Sequence, residues 1–150
     1  MQVASGVSNM AHGIQLAVAP VFLLSGVGVT LIVLTNRLAR VIDRARGIEA
    51  RLQTLPPAEK DGHQAELGVL SRRARLIHRA ITLSTLCALL ICLVIVALFL
   101  GAFLATDLST PVALLFIIAM IAFIGALVSF LREIFLATAS LRFGPGERAT

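Results

Sequence analysis

Three apolar runs, residues 14–35, 80–104 and 111–131, contain no Asp, Glu, Lys, Arg or His. Each has roughly the 20 residues that an α-helix needs to cross the hydrocarbon core of a bilayer. A chain of 150 residues is one domain by size. At 58% hydrophobic and 14% charged it is too apolar for an ordinary soluble domain, which would have to bury all three runs in a very small core. The sequence therefore predicts an all-α integral membrane protein with three transmembrane helices.

The charges set an expected orientation. Residues 37–79 hold ten of the thirteen Lys+Arg and five of the eight Asp+Glu, so the whole surplus of +5 lies between the first two runs. The loop at 105–110 has Asp107 and no basic residue. Basic residues collect on the cytoplasmic side of membrane spans. The expectation is an extracytoplasmic N-terminus, a cytoplasmic segment 37–79, an outer loop at 105–110 and a cytoplasmic tail over 132–150. Residues 1–13 carry no Lys or Arg and so lack the charged start of a cleavable signal; they read as a short outer lead-in to a retained anchor. Anionic lipid headgroups are expected partners, at about 1 kcal/mol per Lys or Arg near the surface. Nucleic acid is not expected: the chain has no Trp or Tyr to stack on bases, and most Phe lie in the spans.

The basic segment has helical order. Leu34, Leu38, Val41, Ala45, Ile48, Leu52 and Leu55 alternate spacings of four and three, the pattern of a heptad stripe continuing the first span. Leu67, Leu70, Ala74, Ile77 and Ile81 repeat it into the second. The breaker cluster Leu55-Pro56-Pro57, then Gly62, separates them. Pro57 suits a helix start, with Glu59 and Asp61 near its positive end. The prediction is an antiparallel cytoplasmic hairpin over 37–79, its arms continuous with spans one and two. Residues 132–143 either continue span three or lie at the inner interface.

Two groups of residues stand out as candidates. In the first span, Pro20 removes a backbone donor, and Ser25, Gly26, Gly28, Thr30 and Asn36 follow. They read either as helix-packing positions or as the lining of a path. Arg37, Arg40, Arg44 and Arg51 line one side of the first arm, beside its apolar stripe. They read as a basic vestibule or lipid-phosphate site, or as anchors paired with acids on the other arm. Arg72, Arg75 and Arg79 form a second stripe suited to solvent or headgroups. Ala122 and Ala126 offer a small packing face in span three.

Catalytic chemistry is not expected. No phosphate loop, HExxH motif, nucleophile elbow or carboxylate pair is present. Neither a cofactor nor a metal is called for: Cys87 and Cys92 sit five apart on one helix, pointing to different faces.

Two stretches resemble a bacterial membrane family known as domain of unknown function 2721. They are IQLAVAPVFLLSGVGVTLIVLTNRLARVIDRAR at 14–46 and LSRRARLIHRAITLSTLCALLICLVIVAL at 70–98, with LTNRLARVIDRAR the specific block. The resemblance implies a bacterial inner-membrane location and architecture, and no activity. Two functions stay open. One is an oligomeric ion channel with a basic cytoplasmic vestibule. The other is a non-transporting scaffold that binds lipid or a partner through the hairpin. The stripes and long arms suggest a homo-oligomer.

Overall fold

The computed structural model describes residues 2–53, 56, 60–104 and 106–139; for 2–13, 16, 61 and 139 it describes the backbone alone. Three helices make up the fold: α1 (Gln2–Leu52), α2 (Lys60–Leu104) and α3 (Ser109–Ala139). Each is long and apolar enough to cross a membrane. Helix is the only regular secondary structure among the described residues, as the apolar runs and heptad spacing predict.

Both ends of this pattern differ from the apolar runs. α1 already spans residues 2–13, expected as a lead-in, and stays helical through Pro20. No proline interrupts residues 2–13, and an established helix extends at the cost of one residue per added hydrogen bond. α3 continues through residues 132–139, the first of the two readings of that stretch, because no breaker follows the charged pair Arg132-Glu133. Of the expected turn, Pro56 is exposed and outside any helix, while 54–55 and 57–59 lie outside the described residues. So does the tail from 140 onward.

The α2–α3 loop is tightly closed. The Thr106 N–H bonds back to the Gly101 carbonyl at 3.2 Å, the six-to-one bond that finishes a helix. A Cβ on Gly101 would lie 3.3 Å from the Thr106 carbonyl oxygen, so the glycine permits the close approach. Asp107 Oδ1 accepts the Ser109 N–H at 2.9 Å and caps α3. These hydrogen bonds to Ser109 hold the Asp107 carboxyl below its ordinary pKa. Pro111 falls in the first turn of α3, where a missing N–H costs nothing.

The chain divides into two units: Met1–Leu31 with Thr82–Gly125, and Ile32–Ile81 with Ala126–Thr150. The first is apolar. Val27, Cys87, Ile91, Ala119 and Ala122 form its buried cluster. Cys87 is buried and Cys92 exposed, so they do occupy different faces of α2. α2 and α3 approach closely here: a Cβ on Gly125 would meet Leu83 Cδ1 at 3.3 Å. Small residues allow such approach where lipid leaves little hydrophobic drive between helices.

The second unit follows the heptads. Leu34, Val41, Ile48, Leu70, Ile77 and Ala80 are its buried cluster, with Leu38, Ala45, Leu52, Leu67, Ala74, Ile81 and Phe130 packed against it. Every stripe residue on the described part of the two arms lies in this core. The arms run antiparallel. Arg44 pairs with Glu66, and seven residues earlier on α1 Arg37 shares a carboxylate with Arg73, seven residues later on α2.

Candidate functional site

α3 brings a carboxylate into the core of the second unit. Glu133 is fully buried. Arg73 of α2 donates to its Oε1 from Nε at 3.1 Å and from Nη2 at 2.8 Å. Arg37 of α1 places Nη2 3.3 Å from Oε2. That contact has the distance of an ion pair without the geometry of a hydrogen bond, and Oε2 receives none. The Arg37 guanidinium also lies 5.3 Å from the centroid of the Phe130 ring, one turn before Glu133 on the same face of α3. Each helix thus contributes one charged side chain to a single cluster.

The heptads explain why a carboxylate is needed there. Counting from the apolar stripes, Arg37 and Arg44 on α1, and Glu66 and Arg73 on α2, all occupy the position immediately before a core residue. In an antiparallel pair these flanking positions face one another. Arg44 faces Glu66, and the opposite charges bond directly at 2.7 Å and 3.2 Å. Arg37 and Arg73 carry like charges. Glu133 enters between them and turns a repulsion into a bridge. Burying a charge is tolerable only when it is paired in this way. Removing one partner of such a buried pair costs about 3–5 kcal/mol, whereas an exposed pair such as Arg44–Glu66 contributes about 0.2–1 kcal/mol.

Sequence reasoning did not single out Glu133, because it lies beyond the third apolar run. Two signals point to it in retrospect. It follows Ala119 and Ala126 at intervals of seven, on the buried face of α3. And two facing arginines require an acid.

The other candidates fall as follows. Arg37, Arg40 and Arg44 line one pocket of about 310 Å³ with Val41, Leu70 and Arg73. Arg51 is exposed in the last turn of α1. Pro20 is buried, Ser25 and Gly26 are exposed, Gly28 and Thr30 are half-buried, all in the first unit; Asn36 is exposed in the second. The hydroxyls of Ser25 and Thr30 donate to the carbonyls of Val21 (3.3 Å) and Gly26 (2.9 Å) on their own helix. A polar residue in a lipid-facing helix is satisfied this way without a neighbour. Among the described residues no group of three or more His, Cys, Asp or Glu is placed to hold a metal.

No curated protein and no solved structure matches the chain. Over residues 17–143, from near the start of the first apolar run to beyond the Glu133 cluster, it matches a family whose description gives no activity. The chain belongs to that family, Protein of unknown function (DUF2721).

Proposed function

We propose that the protein is a non-transporting membrane scaffold: three helices anchor it, and the arms of α1 and α2 form a rigid hairpin presented to lipid headgroups or a partner. In this reading it sits in a bacterial inner membrane, N-terminus outside, residues 37–79 and the C-terminus cytoplasmic. It assembles as a homo-oligomer through apolar helix surface, of which only 17–22% is buried within each span's most apolar window. It is not an enzyme and carries no cofactor.

One observation carries the choice. Two of the four α1 arginines that a vestibule would display are engaged by acids of the same chain, Arg37 by Glu133 and Arg44 by Glu66. A guanidinium fixed to a carboxylate presents little net charge to a passing ion. Such pairing serves to hold a shape.

The channel reading has one observation in its favour. Arg40, Asn36, Ser25 and Gly26 remain exposed on α1, available to line a path between copies. Charged rings and dewetting constrictions are enough for selectivity and gating. Flux decides between the two. Liposomes containing the purified protein should show no protein-dependent movement of K⁺, Na⁺ or Cl⁻ across a range of voltage and pH. A flux altered in its anion/cation ratio by Arg40→Gln would replace the scaffold with the channel. The orientation is tested separately: a membrane-impermeant thiol reagent applied from outside should label a cysteine introduced at Asp107 and spare one introduced at Gly62. The reverse pattern would invert the topology.

A further inference from the structure

A second set of arginines has no acid beside it among the described residues. Arg72, Arg75 and Arg79 of α2, at spacings of three and four, share one helix face, and Arg132 of α3 joins them across a groove of about 480 Å³. Among the described residues no carboxylate lines the groove. Arg37, Arg44 and Arg73 each have an acid; none of these four has one among the described residues. Four guanidiniums converging on one groove repel one another and concentrate anions. Their planar forks match phosphate oxygens two at a time, in a way a lysine cluster does not.

The floor of the groove is apolar: Leu76 from α2, Phe135 and Leu136 from α3. Phe135 is 63% exposed. A free phosphate would satisfy the arginines and leave that ring bare. A phospholipid would cover both. Chain position agrees. Arg79 immediately precedes the apolar run that starts at Ala80, and Arg132 immediately follows the one that ends at Leu131. Residues at such borders lie at headgroup depth, where basic pockets between helices recruit acidic lipid.

We propose that the groove between α2 and α3 is a binding site for an anionic phospholipid, with Arg72, Arg75, Arg79 and Arg132 on its phosphate and Leu76, Phe135 and Leu136 under its glycerol and acyl chains. The site is distinct from the α1 arginines that the sequence singles out. It rests on the scaffold reading only in requiring a bilayer; a measured flux would overturn that reading and leave the site standing.

The test uses the full chain in neutral detergent, titrated with fluorescent phosphatidylglycerol and, in parallel, fluorescent phosphatidylcholine. Phosphatidylglycerol should bind at least tenfold more tightly. Arg75→Gln/Arg132→Gln should weaken it at least tenfold, and Arg72→Gln/Arg79→Gln should do so independently. Arg46→Gln/Lys60→Gln removes the same charge outside the groove and should stay within twofold of the wild type. Thermal unfolding of each variant, within a few degrees of the wild type, confirms that folding is not what changed. Equal loss in all three variants would mean diffuse attraction and overturn the site, as would wild-type binding in both groove variants. Displacement of the lipid by inorganic phosphate at equal concentration would make the ligand a free anion and overturn the lipid assignment.

Discussion

The apolar unit and the charged unit of this chain use the same three helices and hold them by different means. In the first, small and aliphatic side chains pack Val27, Cys87, Ile91, Ala119 and Ala122 with no ionisable side chain other than the thiol in the cluster. In the second, a heptad core of Leu34, Val41, Ile48, Leu70 and Ile77 is joined by a buried carboxylate between two guanidiniums. Lipid tails are as apolar as leucine, so packing within a bilayer rewards close fit rather than hydrophobicity. A carboxylate and two arginines in a core give a directional contact that only one arrangement satisfies. The first unit should therefore be sensitive to volume and the second to charge.

The largest effect should come from breaking the charge cluster. Glu133→Ala leaves Arg37 and Arg73 facing each other and should lower stability by about 3–5 kcal/mol, read by unfolding in detergent. The matching change in the first unit is Ser84→Ala, which removes a buried hydroxyl that has no hydrogen-bond partner in the structure. It should be near neutral or slightly stabilising. A large loss at Ser84 with none at Glu133 would reverse the contrast.

Volume changes come next. Ala119→Leu inserts bulk at a fully buried position of the first unit and should cost about 1–3 kcal/mol. Arg44→Gln in the second removes an exposed pair and should cost about 1 kcal/mol or less, fading as salt rises. A loss at Arg44 as large as at Glu133 would show that burial does not separate the two pairs.

The smallest effect concerns Asp107, outside both clusters. Its folded pKa is lowered by hydrogen bonds from Ser109, so its contribution is complete above the unfolded value, about 3.9, and is lost as pH falls through the lower folded one. The Ser109 amide resonance, followed by NMR, should shift below pH ~4 and stay constant above it. Asp107→Asn should abolish the titration. A midpoint above the ordinary aspartate value would contradict the cap.

Much of the fold was legible because it repeats. Apolar runs of span length marked the three helices, and the spacing of Leu34 to Leu52 and Leu67 to Ile81 named the residues that form the second core. Features that depend on single residues were harder to read. Glu133 is one acid beside Arg132, beyond an apolar run, and such a neighbouring pair resembles an ordinary interfacial border. Its burial follows from helical phase with Ala119 and Ala126, and its role from the phase of Arg37 against Arg73. Both require knowing which arms face each other. The α1 arginines share a side of the helix, and that alone leaves open both a basic wall and pairing with acids on the other arm, which Arg44 makes with Glu66. What separates Arg37 and Arg44 from Arg40 is the acid opposite each, which lies on other helices.

Glu133 acts as a structural lock, hydrogen-bonded to Arg73 and ion-paired with Arg37. A double-mutant cycle of Arg73→Gln and Glu133→Gln, measured by unfolding of the full chain in detergent, tests it most directly. The cycle should give a coupling of about 2 kcal/mol or more in favour of the pair, toward the upper end for residues in contact. A coupling within about 0.3 kcal/mol of zero, the value for independent sites, would mean the two side chains do not act together and would contradict the lock.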